Sequence, residues 1–137
     1  MRLTTFTDYA LRVLLFVATA PQGRARIAEI AATYRISEHH LVKVVHLLGR
    51  EGFLLNTRGR GGGLALARSA ADINVGALVR TTEGGDAPAE CFREDGACVI
   101  ARACRLAGVL QQALDAFYAV LDRYTFRAIR RSPRCRN

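Results

Sequence analysis

Three cysteines, Cys91, Cys98 and Cys104, follow one another as C-x6-C-x5-C in a stretch rich in Gly, Pro and charge. Thiolates are soft donors that suit iron-sulfur clusters, zinc and cuprous copper. Spacing alone chooses weakly among these, although the tight C-x2-4-C knuckles of structural zinc sites are absent. Glu90, Arg93, Glu94, Asp95 and Gly96 surround the thiols, a polar setting that favours a ligand or redox role over inert packing. Cys135 stands apart in the Arg-rich segment from Arg130 to Asn137, where it either completes a four-thiolate site or is a bystander. If only three thiols bind, the fourth position falls to another residue or to an exchangeable small molecule.

A second constellation lies upstream. Glu38, His39, His40, Lys43 and His46 are polar positions on a segment whose apolar residues Leu41, Val44, Val45 and Leu48 recur at helical spacing. Residues 39, 43 and 46 share the opposite face, with His40 beside them, and Ser37 stands where it can cap the helix. The run Arg58-Gly59-Arg60-Gly61-Gly62-Gly63 follows, flanked by the β-prone stretches Phe53 to Thr57 and Leu64 to Ala67. Cations among glycines at a hairpin tip suit close approach to a narrow minor groove. The glycine run lacks the Lys-Ser/Thr of a phosphate-binding loop, and Leu64 stands where G-x-G-x-x-G needs its last glycine. The histidines have no nearby cysteine and lie on the face that would enter a groove, which argues against zinc ligation.

These groups must be positioned by a definite order of elements. Thr5 or Thr7 can cap a first helix running to about Ala20, and Pro21-Gln22-Gly23 ends it. A second helix carries Ile27, Ala28, Ile30, Ala31 and Tyr34, and the break Arg35-Ile36-Ser37 leads into the histidine-bearing helix, which Gly52 stops. Helix, short turn, helix and glycine-tipped hairpin is the order of a winged helix-turn-helix, whose second helix enters the major groove. A short helix is expected over Asp72 to Thr82, then a loop over 83–103, then a long helix from about Cys104 to Arg130. On that last helix Leu106, Leu110, Ala113, Phe117, Val120 and Tyr124 form a heptad-like seam, widened by Leu114, Leu121 and Ile129. The expected fold is mainly α with a small β-hairpin wing. A DNA-binding domain would cover 1–82, the cysteine loop 83–103, a dimerisation helix 104–131 and a basic tail 132–137.

Composition agrees with this plan. The 137 residues fit one compact domain with an appended helix, half are hydrophobic, and 23% are charged, so a soluble core is within reach. A formal charge of +8 points to a polyanion such as nucleic acid, although a membrane surface would satisfy it too. Leu11 to Ala20 carries Arg12 and follows Asp8, so it reads as a buried helix rather than a signal peptide, and no stretch reaches membrane-spanning length. The expected compartment is the cytoplasm, with no membrane partner, where four cysteines suggest metal or redox chemistry before disulfides.

Three motifs beside the cysteine triad carry a resemblance. Leu3-Thr4-Thr5-Phe6-Thr7-Asp8-Tyr9-Ala10-Leu11-Arg12, His40-Leu41-Val42-Lys43-Val44-Val45 and the Arg58-to-Gly63 wing are similar to the winged-helix iron-sulfur regulators over nearly the whole chain. The cluster-assembly branch of that family has a histidine three residues after its last cysteine; here Ala107 stands there. The resemblance is therefore to the nitric-oxide-sensing branch. It implies a DNA-binding repressor with no enzymatic activity, a 4Fe-4S rather than 2Fe-2S cluster on Cys91, Cys98 and Cys104, and a homodimer through the C-terminal helix. It also implies a palindromic operator in double-stranded DNA, read by Ser37, His39, His40, Lys43, His46, Arg58, Arg60 and Gly61, and nitric oxide as effector. Asp8 matches an aspartate that reaches the cluster of the other subunit, though it could instead close a Thr5-x-x-Asp8 capping box or pair with Arg12. Other readings keep the fold but sense iron, cluster supply or oxidative stress, or make the chain a zinc-stapled adaptor or a thiol oxidoreductase. The last lacks a C-x-x-C pair.

Overall fold

The computed structural model describes residues 2–84, 89–93, 98–100 and 104–129. Helix α1 (Thr5–Thr19) leads to α2 (Ile27–Tyr34) and α3 (Glu38–Arg50), followed by the antiparallel hairpin β1 (Leu54–Thr57) and β2 (Gly63–Leu66). Helix α4 (Val75–Glu83), a short 3-10 turn over Glu90–Phe92, α5 (Leu106–Leu121) and α6 (Phe126–Ile129) complete the chain. No described helix is long and apolar enough to cross a membrane.

Local chemistry explains most boundaries. The cap of α1 is Thr4, whose hydroxyl accepts from the Thr7 amide at 3.2 Å, so neither Thr5 nor Thr7 fills the expected capping role and no Thr5–Asp8 box forms. The α2–α3 turn passes through Arg35 in the left-handed region (φ 55). Ser37 occupies the N-cap position of α3, but its side chain makes no capping hydrogen bond. Helix α4 starts at Val75 rather than Asp72, because Asn74 caps it, its side-chain oxygen accepting from the Ala77 amide at 2.9 Å.

One apolar core joins these elements. Val13, Leu14 and Val17 of α1 meet Ile30, the α3 stripe Leu41, Val44, Val45 and Leu48, the hairpin residues Leu54 and Leu64, and Leu78 of α4. Each such side chain stabilises the fold by about 1.5 to 3 kcal/mol when fully buried. Beyond its own ladder (Leu54 opposite Leu66, Thr57 opposite Gly63), the wing is tied to the body by a bridge to Ala25. The Leu64 amide donates to Ala25 O at 2.7 Å, and the Ala25 amide donates to Leu64 O at 3.0 Å.

The expected unbroken helix over 104–130 is divided. At the end of α5, Asp122 takes a two-pronged ion pair from Arg80 of α4 (2.7 and 2.8 Å), whose guanidinium lies 4.3 Å from the Tyr118 ring centre. The Asn74 amide group donates to Asp122 O at 2.7 Å, and the Val75 amide donates to Tyr124 O at 3.0 Å. Carbonyls that would continue α5 are thus bonded to α4 and its cap. The chain turns and buries Phe126 completely in the core, with its amide bonded to Ile73 O. The seam splits accordingly: Phe117 and Leu121 pack on the body together with Tyr118, while Leu106 and Val120 remain 58% and 44% exposed, as does Val109, outside the expected seam, at 59%.

Candidate nucleic-acid interface and cysteine segment

Helix α3 buries Leu41, Val44, Val45 and Leu48, which drives His39, Lys43 and His46 to the open face; all three are exposed. His40, also exposed, turns toward α1, its ring stacked on Tyr9 with centroids 6.5 Å apart. Of the four α3 residues expected to read DNA, the structure thus gathers His39, Lys43 and His46 on one face and places His40 at the α1 junction. Val42, not foreseen as part of this surface, is 52% exposed beside them.

The wing presents Arg58 and Arg60, both exposed, between its strands. Its tip conformation needs glycine: Gly61 has φ 71, in the left-handed region. Gly63 has φ 141, and a Cβ there would lie 2.8 Å from Ala25 O, so the close approach that docks the wing excludes a side chain. Arg24, from the turn before α2, donates to Gly61 O at 2.7 Å and braces the tip. No sequence pattern links Arg24 to Gly61; only the docking of the wing beside that turn does.

Cys91 lies in the 3-10 turn, Cys98 farther along, and Cys104 two residues before α5. All three are free thiols of intermediate exposure. Among the described residues, no three His, Cys, Asp or Glu side chains are close enough to hold a metal ion. As donors the thiols still fit a soft metal or cluster, being unpaired, partly accessible and on one connecting segment. Cys135 lies outside the described residues. Asp8 is bound by Arg12, with Nε to Oδ1 at 3.1 Å and Nη2 to Oδ2 at 3.0 Å, and its side chain is 46% exposed. Of the roles open to Asp8, the ion pair is the one present within a single chain. Arg12 also lies 5.6 Å from the Tyr34 ring centre.

A polar cluster that the sequence did not reveal joins α1 to α4. Glu83, the last residue of α4, accepts from the Thr4 amide and the Thr4 hydroxyl, each at 3.0 Å, and from the Thr7 hydroxyl. Thr7 Oγ1 lies 2.8 Å from Thr82 Oγ1, and both threonines are buried. Burial alone would raise the Glu83 pKa; the hydrogen bonds from Thr7 and Thr4 outweigh it and hold the carboxyl below its ordinary value. The carboxylate also lies at the positive end of the α1 dipole.

The Rrf2 family, described as iron-dependent transcriptional regulator, matches residues 3–131. The chain is 48% identical over 129 residues to the HTH-type transcriptional regulator NsrR of Bacillus subtilis, covering 93% of this chain and 88% of that protein. It is 49% identical over 127 residues to NsrR of Geobacillus kaustophilus, covering 91% and 86%. Among solved structures, CymR of B. subtilis, titled the global cysteine regulator, aligns with a TM-score of 0.74 at 27% identity, over 94% of this chain and 95% of that one. T. potens IscR aligns with a TM-score of 0.76 at 24% identity, over 94% and 85%, a likeness of fold.

Proposed function

Because the chain belongs to the Rrf2 family of iron-dependent transcriptional regulators, we propose that it is a dimeric repressor whose operator affinity is set by an iron-sulfur cluster and lost on exposure to nitric oxide. It is a DNA-binding regulator and not an enzyme, like the named regulators it matches. The observation that carries the sensing part is the placement of three free, half-buried thiols on the single segment joining α4 of the DNA-reading body to α5.

Cys91, Cys98 and Cys104 would hold the cluster as thiolates, with 4Fe-4S preferred, and Asp8 from a second copy would be the fourth, oxygen ligand. When bound, the cluster supplies iron that reacts with nitric oxide, most readily where a hard carboxylate rather than a thiolate holds it. Asp8 is partly open to solvent and bound by Arg12 through one contact to each oxygen, which leaves further lone pairs for a metal, so Arg12 would hold the carboxylate that a cluster uses. The exposed apolar side chains of α5, Leu106, Val109 and Val120, suit a second copy of the same helix. In such a dimer the two α3 helices read half-sites of a palindrome about 34 Å apart, with His39, Lys43 and His46 at base edges and phosphates and Arg58 and Arg60 at the flanking minor groove. Ser37, His40 and Gly61 line the same surface.

The test is iron and acid-labile sulfide content of anaerobically purified protein, followed by titration with nitric oxide. Binding is read on DNA that the wild-type protein selects from a random-sequence pool. Nitrosylation is expected to weaken binding by about 5- to 150-fold, a coupling of about 1 to 3 kcal/mol. Unchanged affinity after complete nitrosylation refutes nitric-oxide sensing. The family description favours one second reading, sensing of iron or cluster supply; affinity that follows iron content but ignores nitric oxide would select it. One zinc and no sulfide would select a zinc-stapled protein instead.

A further inference from the structure

The Glu83 cluster occupies a position that no role assigned so far uses. Glu83 ends α4, and Gly84, in the left-handed region at φ 68, turns the chain toward the cysteine segment. On the other side of the cluster, Thr4 caps α1 and Thr7 immediately precedes Asp8. Helix α1 in turn packs on α3, with Tyr9 stacked on His40. The Thr7 hydroxyl (0% exposed) has little access to water, so opening the cluster strands it, whereas Thr82 keeps its bond to Leu78 O at 3.1 Å.

We infer that Glu83 is a positioning residue, which through Thr4 and Thr7 fastens the start of the cysteine segment to the first turn of α1, so that a change of state at the cysteines moves Asp8 and α3. The inference rests on the cluster-dependent reading proposed above. Glu83 is not a metal ligand in this scheme; Thr4, the cap of α1, and Thr7 direct three donors to one of its oxygens, Oε1. Direction is built into the geometry, because one end of the clasp is the exit of α4 and the other is the residue before Asp8.

The experiment is hydrogen-deuterium exchange on the full chain, metal-free and after anaerobic reconstitution with ferrous iron and sulfide. In the wild type, reconstitution is expected to slow exchange over both residues 84–104 and residues 5–10. Thr7→Val keeps the volume and removes the hydroxyl; it is expected to keep protection over 84–104 and lose it over 5–10, whereas Thr7→Ser is expected to protect both segments as the wild type does. The ratio of DNA affinities between reconstituted and metal-free protein, expected at about 5- to 150-fold in the wild type, should fall to about twofold or less in Thr7→Val. Glu83→Gln, which keeps the shape but lowers the accepting capacity, reports the same loss should Thr7→Val fold poorly. Protection of 5–10 in Thr7→Val and Glu83→Gln equal to wild type overturns the inference. Wild-type protection confined to 84–104 also overturns it and leaves the cluster reading standing. No protection over 84–104 in the wild type removes the cluster reading and this inference with it.

Discussion

Replacing Gly63 by alanine should undock the wing. The residue sits at φ 141, and its Cβ would meet the Ala25 carbonyl oxygen at 2.8 Å. If the wing stays docked, the backbone carries a conformation that L side chains rarely adopt, costing about 1 to 3 kcal/mol before the contact is relieved. If it undocks, the two Ala25–Leu64 hydrogen bonds are lost, about 0.5 to 1.5 kcal/mol each, and Leu64, now 1% exposed, gives up part of its burial. Both routes give a loss of about 2 to 4 kcal/mol, or a drop in urea midpoint of about 1 to 3 M for a denaturant slope near 1.5 kcal/mol per M. The routes differ in DNA binding. An undocked wing no longer aims Arg58 and Arg60, so affinity for the selected DNA falls about tenfold or more, and the salt dependence flattens by about one to two released counterions. Urea unfolding at fixed protein concentration and fluorescence anisotropy across a salt series read both quantities. A midpoint within about 0.3 M of wild type together with an unchanged salt slope would refute the reasoning.

Two further predictions concern packing and charge. Phe126→Ala should cost about 3 to 5 kcal/mol of stability in urea unfolding and Phe126→Leu less than about 1.5 kcal/mol; near-equal small losses would mean that α6 is not docked in the core. The Glu83 carboxyl is held below its ordinary value of 4.5 in the folded state, so its contribution is present above that pH and is lost as pH falls through the folded value. The stability difference between wild type and Glu83→Gln should therefore be largest near neutral pH and shrink below about pH 4.5, and a difference that grows on acidification would contradict it.

Helix α4 emerges as the joint of the molecule. Asn74 at its start and Arg80 in its last turn bind the end of α5 and the turn after it, while Thr82 and Glu83 at its end bind the start of α1. A helix of nine residues thus contacts the proposed dimer helix, the start of the cysteine segment and the helix that supports the reading head. Short rigid elements with specific polar contacts at both ends shift as bodies, which is the property a regulator needs between its sensing and reading parts.

Much of the fold of α3 and the wing, the candidate DNA-reading surface, was legible in the sequence because its determinants are local. The 3.6-residue spacing of Leu41, Val44, Val45 and Leu48 sets both the buried stripe of α3 and the opposite face with His39, Lys43 and His46. The glycines between two β-prone runs specify the hairpin, since only they take its positive φ values without strain. The donor chemistry of the three thiols is likewise a property of the side chain and is read from the sequence, whereas their role as ligands stands as proposed. Tertiary structure decided which of several local options each boundary took. Thr4 rather than Thr5 or Thr7 caps α1, because Thr7 is turned inward to Thr82 and Glu83. The last helix breaks at Asp122, because Asn74 and Val75, far away in sequence, take the carbonyls of Asp122 and Tyr124 that would have continued it, while Arg80 holds the Asp122 carboxylate. Arg24 finds Gly61 across 37 residues, and Glu83 finds Thr4 across 79. Periodicity encodes which face of an element is buried, whereas a polar contact between distant segments forms only after burial has brought their backbones together.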